Sequence, residues 1–193
     1  MRATRPGSIW SSSGLVRGAA LLALYALAAA AQTGKAEAER LAPYYPTPEI
    51  IVERMLQLGG LKAGEKLFDL GSGDGRIVIL AARKFQAQAT GIELDEDLAA
   101  QSADKIKSLG LQKTARIIQG DILKQDLSSA DLITVYLLPS AIAKVRPLLE
   151  KQLKRGARVV AHDFEISDWT ALRIEHIEDD GEGRAHTIYL YRR

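Results

Sequence analysis

Four carboxylates and three glycines carry the chemistry most readily read from this chain. Asp69 closes a short apolar run, and Gly71, Gly73 and Gly75 follow it at every second position with Ser72 and Asp74 between them. Glycines so spaced let the backbone turn tightly and let a ligand lie directly against it. The amides that open the next helix then point at whatever is bound there. A dinucleotide fingerprint needs a small residue where this chain has Arg76, and its pyrophosphate would be repelled by Asp69 and Asp74. A ligand bearing a sulfonium and an ammonium group would be attracted. Glu93 lies 22 residues beyond Gly71, the position at which an acid binds the ribose hydroxyls of an adenosine cofactor. The plainer alternative is an ordinary strand-to-helix turn followed by solvated strand-end acids.

Elements that would hold these groups follow in order. Lys66 to Leu70 reads as a buried strand, with a helix from Ile77 to Phe85; Gln88 to Leu94 is a second strand, and Asp95 caps a helix to Leu109. Ala115 to Gly120 is a third strand, ending at Asp121 and Ile122. Asp131 to Leu137 is a fourth, with a helix through Leu153 behind it, and Ala157 to Ala161 a fifth, running into His162 and Asp163. Leu172 to Ile177 and His186 to Tyr191, joined by an acidic glycine-containing turn, form a closing antiparallel hairpin. Upstream, Thr47 is expected to cap a helix that has Pro48 at its first position and an apolar face of Ile50, Ile51, Met55, Leu56 and Leu58, ended by Gly59-Gly60. The expected fold is α/β: a doubly wound, mostly parallel, seven-stranded Rossmann-like sheet that ends in the hairpin.

Composition narrows the classes. With no cysteine, disulfides, thiolate metal sites and a cysteine nucleophile are excluded. Residues 1–36 hold four basic side chains and no acid, which leaves the rest with 22 basic against 24 acidic groups. That balance argues against a protein that grips nucleic acid through its phosphates. Residues 1–31 read as a signal peptide or an N-terminal membrane anchor: a basic, serine-rich start, an apolar run from Gly18 to Ala31, and small residues before Gln32. A mitochondrial presequence is a third reading. Residues 32–42 are a linker and 43–193 a single catalytic-sized domain. Export or anchoring leaves the supply of a cytosolic cofactor unexplained.

The run Asp-Leu-Gly-x-Gly-x-Gly resembles the first motif of the seven-strand S-adenosylmethionine-dependent methyltransferases. With Pro43-Tyr-Tyr-Pro-Thr-Pro48, Gly91-Ile-Glu-Leu94, Tyr136-Leu-Leu-Pro-Ser140 and Arg158-Val-Val-Ala-His-Asp-Phe164, the chain is similar to the lysine methyltransferases of the ATP synthase c-subunit and the adenine nucleotide translocase, and to their bacterial relatives. The resemblance implies S-adenosylmethionine as cofactor, with Asp121 at the adenine amino group and Ile122 packed on the ring. It also implies a protein substrate, a lysine of a membrane protein, and gives the apolar leader a purpose. A non-catalytic cofactor-binding protein and a small-molecule methyltransferase are the alternatives. Asn/Asp-Pro-Pro-Tyr, the sequence expected for base-amine or glutamine acceptors, is absent after the fourth strand, where Val135-Tyr136-Leu137 stands. Tyr136 is then a candidate wall for a desolvated lysine amine, with His162 and Asp163 as base or relay. Tyr44 or Tyr45 would close the site as a lid, its ring facing the sulfonium. Each also has a plain structural reading as packing or as a hydrogen-bonded pair.

Overall fold

The structure, a computed structural model, describes residues 45–193. The N-terminal reading of residues 1–31, the 32–42 linker and Tyr44 lie outside the described residues. Seven strands form one sheet: β1 (Lys66–Leu70), β2 (Gln88–Glu93), β3 (Ala115–Gln119), β4 (Leu132–Val135), β5 (Arg158–His162), β6 (Arg173–Ile177) and β7 (His186–Arg192). Their order is β3-β2-β1-β4-β5-β7-β6, parallel through β5 and antiparallel where β7 inserts between β5 and β6. The chain turns outward in both directions from the boundary between β1 and β4, so a cleft opens above their carboxyl ends.

Alternate strand residues feed two cores. One face carries Leu67, Leu132, Val160 and Ile188 against α1 (Glu49–Leu58) and α2 (Arg76–Phe85), and reaches Ile106 of α3 (Glu96–Ser108). The other carries Phe68, Leu70, Ile133, Val135, Val159 and Tyr191 against Ile142, Val145 and Leu149 of α4 (Pro139–Gln152). Each such fully buried aliphatic side chain contributes about 1.5–3 kcal/mol. The central strands are therefore rigid, and the groups at their tips are held by packing below them.

Local signals set the helix ends. The Asp95 carboxylate accepts from the amides of Asp97 and Leu98, capping α3 as its sequence leads one to expect. Thr47 does otherwise. Helix α1 begins at Glu49 after Pro48, with no side-chain cap, and the Thr47 hydroxyl is buried 3.3 Å from His162 Nδ1. The buried face of α1 is Ile51, Val52, Met55 and Leu56, while Ile50 points out. No crossover helix separates β5 from β6, in keeping with the short segment available there. Among the described residues, no helix is long and apolar enough to cross a membrane.

Candidate functional site

Asp69, Glu93 and Asp121 stand at or just past the carboxyl ends of β1, β2 and β3, three neighbouring parallel strands. Between them runs the glycine turn, with positive φ at Gly71 (80°), Gly73 (52°) and Gly75 (76°). A side chain at those angles is strained, and one at Gly75 would also press on Ser102. The turn is pinned from below: the Gly71 and Ser72 amides donate to the Ile92 carbonyl at 2.9 and 3.0 Å. Glu93 pins it from the side. Its Oε2 accepts from the Gly73 amide at 2.7 Å and its Oε1 from Asp95 at 2.9 Å. Each oxygen keeps a second lone pair.

Asp69 is almost fully buried and accepts a 2.8 Å bond from the Thr134 hydroxyl. Burial pushes its carboxyl up, the Thr134 bond opposes, and the charges of Glu93 and Asp74 add to the rise, leaving it at about 7. Such a group gains from a cation brought against it. Asp74 is set differently. Burial raises it, but the guanidinium of Arg76 clasps both its oxygens at 2.9–3.2 Å, and the balance lies below the ordinary carboxylate value. Arg76 also donates to the Thr47 carbonyl, so the residue that departs from the dinucleotide pattern ties the turn to the segment before α1. Ser72 Oγ is buried without a hydrogen-bond partner and lies against Gly91. Asp121 Oδ1 accepts from the Leu123 amide, and Ile122 is buried in the core. A glycine cradle open to backbone approach, an orphaned hydroxyl and a buried carboxyl that gains from a cation fit S-adenosylmethionine.

A second cluster lies past β4 and β5. The Tyr136 ring packs on His162, centroids 4.0 Å apart, and stacks on Phe164 at 6.3 Å. Burial, the Asp163 charge and a hydrogen bond to Asp163 push the Tyr136 phenol up to about 12, so it stays protonated and donates. His162 is completely buried; that burial lowers it, Asp163 opposes and His186 adds, leaving it neutral with a value of about 4. Asp163 has φ +58° at the centre of a tight turn closed by the Phe164 amide on the His162 carbonyl, a conformation costly for a residue with a side chain. That turn aims its carboxylate back at Tyr136, His162 and the Thr187 amide. Tyr45 is half exposed, and its hydroxyl meets Arg184 of the β6–β7 turn.

Several participants carried no signal that placed them at the site. Thr47 read as a helix cap and Gly91 as part of a strand motif, while Thr134, Asp180, Arg184 and His186 reach the site only through the fold. Gly91 could have been suspected, since it precedes Glu93 on a buried strand where glycine is disfavoured. A Cβ there would come within 2.5 Å of Ser72 Oγ and 2.7 Å of Ile117.

A seven-stranded sheet in this order, with a glycine turn and strand-tip acids at its switch point, defines an S-adenosylmethionine-dependent methyltransferase. Residues 69–173 match the ANTKMT methyltransferase domain, and the chain belongs to that family. It is 39% identical to a protein-lysine N-methyltransferase of Saccharolobus islandicus over 77% of this chain and 92% of that protein. It is 31% identical to the human lysine N-methyltransferase of the ATP synthase c-subunit over 93% of this chain and 72% of that one, a match that includes part of the segment ahead of Tyr45. A crystal structure of an RNA methyltransferase from Salinibacter ruber in complex with S-adenosyl-L-homocysteine superposes with a TM-score of 0.71 and 41% identity, covering 77% of this chain and 93% of that one.

Proposed function

We propose that this enzyme methylates the ε-amine of a protein lysine, with the cofactor on the β1–β3 side of the cleft and the amine against Tyr136 and Asp163. The observation that carries the reading is the pairing of an aromatic face with a carboxylate at the tips of β4 and β5. Such a pair suits an alkylammonium: the ring covers its methylenes and the carboxylate attracts its charge. The names of the relatives from Saccharolobus islandicus and human support the same acceptor.

S-adenosylmethionine, when bound, supplies a methyl group on a sulfonium leaving group; the amine lone pair takes the methyl carbon as the carbon–sulfur bond breaks toward sulfur. The protein must present the amine in line and without its proton. Alignment supplies up to about 7–11 kcal/mol. Deprotonating lysine at pH 7 costs about 4.6 kcal/mol; exclusion of water by Tyr136 and Phe164 lowers that cost, and the Asp163 charge opposes the lowering. Burial lowers His162 and makes its ring a weak base, poorly suited to take that proton. We therefore assign it to holding Tyr136 and Asp163, and the proton to solvent. In the cradle, Asp69 and Asp74 favour the cofactor's positive charges, Glu93 its ribose, and Asp121 with Ile122 its adenine. Gly71, Ser72, Gly73 and Gly75 form the surface beneath it.

Because the human relative's match extends into the N-terminal segment, we also propose that the apolar run before Gln32 brings the enzyme to a membrane-bound acceptor. The description of the Salinibacter ruber relative favours a second reading, an RNA acceptor. Incubation of the full chain with isotopically labelled S-adenosylmethionine, membrane proteins and total RNA separates the two. Label in methyl-lysine is the expected result. Label recovered from nucleosides alone overturns the lysine reading.

A further inference from the structure

Behind the Tyr136 wall, three ligand atoms from β5, the turn after it and β7 converge: His162 Nε2, His186 Nδ1 and Asp163 Oδ2. The two ring nitrogens are 2.9 Å apart, and the carboxylate oxygen is 3.3 Å from His162 Nε2 and 3.2 Å from His186 Nδ1. The groups beyond them fix which atoms are free. Asp180 is buried and accepts from the amides of Glu182 and Arg184 and from the Arg184 guanidinium. A carboxylate held this way is an acceptor, and His186 Nε2, 3.2 Å away, donates to it. The other ring nitrogen of His186, Nδ1, is the one that faces the triangle. His162 Nδ1 has the Thr47 hydroxyl as its own partner at 3.3 Å. Asp163 Oδ1 accepts from the Thr187 amide, the Tyr136 hydroxyl also bonds this carboxylate, and Oδ2 lies toward the two rings.

One proton can lie along only part of this triangle, whereas a cation set over it meets all three atoms. Imidazole and carboxylate ligands at about 2.0–2.2 Å from a first-row divalent ion lie about 2.8–3.1 Å from one another in octahedral geometry and about 3.3–3.6 Å in tetrahedral geometry. The three edges, 2.9, 3.2 and 3.3 Å, fall within the span of the two geometries. The outer partners have the form metal sites use: a ligating histidine gives its other ring N–H to a carboxylate or hydroxyl, which sets tautomer and orientation. Asp180 does this for His186 and Thr47 for His162.

We propose that His162, Asp163 and His186 form a site for one divalent transition-metal ion of the zinc class, which ties β5 to β7 behind the acceptor wall. The proposal is independent of the acceptor's identity. Its test uses the full chain, stripped with chelator and dialysed against zinc, with metal counted by mass spectrometry. About one equivalent is expected, along with a melting temperature raised by zinc and returned by EDTA. Visible d–d bands on cobalt substitution would report the nitrogen and oxygen ligands directly. His186→Gln should abolish stoichiometric binding, and Asp180→Asn should weaken it about 10–100-fold. His176→Gln is the control, because that ring is exposed on β6, where it meets Thr187, and should bind as the parent does. Retained binding of S-adenosylhomocysteine shows that each variant is folded. A parent chain that takes up no zinc or cobalt, or a His186→Gln variant that binds a full equivalent, overturns the proposal, and a hydrogen shared between the two rings takes its place.

Discussion

The two halves of the cleft are built by different means. On the β1–β3 side the decisive contacts join carboxylates to backbone amides: Glu93 to Gly73 and Asp95, Asp121 to Leu123. On the β4–β5–β7 side they join side chain to side chain, two of the three across most of the domain: Thr47 to His162, His162 to His186, Tyr45 to Arg184. A backbone-built site needs particular glycines and few particular partners. A side-chain-built site needs the antiparallel strand β7 to be delivered between β5 and β6 before His186 can meet His162. Substitutions on the first side should therefore reach cofactor binding, and those on the second should reach turnover while leaving the cofactor in place.

Asp69 offers the largest break in that pattern, since it is a side chain on the backbone-built side. Its folded value of about 7 lies above the unfolded 3.8, so the folded state holds the proton more tightly. The contribution of Asp69 to stability is then greatest below pH 3.8, falls as pH rises toward 7 and levels off above. The full difference is about 4 kcal/mol. Asp69→Asn keeps an acceptor for Thr134 and removes the charge. Urea melts should show the variant more stable than the parent by about that amount at pH 8, with the two converging near pH 4, while calorimetry shows cofactor affinity reduced at least tenfold. Parallel stability profiles for the two proteins would mean that Asp69 is not held as a partly neutral acid.

Tyr136→Ala should lower kcat about 100-fold, or about 2.7 kcal/mol, with the dissociation constant for S-adenosylhomocysteine within twofold of the parent. Tyr136→Phe keeps the ring on His162 and should recover most of that loss. Equal loss in both variants would assign the effect to the hydroxyl on Asp163 instead of the wall. Gly91→Ala is next in size. Its Cβ meets Ser72 at 2.5–2.6 Å, which should cost about 1–3 kcal/mol in denaturant melts and weaken cofactor binding. Adding Ser72→Gly should return part of the stability.

Legibility in the sequence followed the same division. The first half shows as a motif because its requirements, positive φ at fixed spacing and acids at strand tips, are local and chemical. The doubly wound sheet follows from alternating strands and helices with a terminal hairpin, and the element ends fall within a few residues of expectation; the insertion of β7 between β5 and β6 does not follow from that pattern. The second half needs partners that local pattern does not join. Thr47 satisfies every rule for a helix cap, yet its hydroxyl finds a buried ring instead, and Pro48 starts α1 unaided. Ile50 and Val52 exchange roles, outward and inward, because where the face of α1 lies is set by α2 beneath it. Asp180, Arg184 and His186 read as an acidic turn leading into a strand, and only the inserted β7 turns them toward His162. The positive φ at Asp163 has no specific sequence signature: aspartate is enriched at such angles, but most aspartates do not adopt them.

The smallest expected effect lies at the rim of the second half, where side chains are exposed and partly redundant. Arg184 meets the Tyr45 hydroxyl, lies 5.8 Å from its ring centre, and donates to Asp180. Tyr45→Phe removes one hydroxyl and keeps the ring under the guanidinium, so stability should change by less than about 0.5 kcal/mol. Arg184→Ala should cost more, because Asp180 is buried and loses its cation. The loss should still stay near 1 kcal/mol, on the order of one hydrogen bond, since the backbone amides of Glu182 and Arg184 continue to hold the Asp180 carboxylate. Denaturant melts of both variants rank the two. A larger effect from Tyr45→Phe would show that the rim is fixed by the tyrosine, and that the β6–β7 turn follows it.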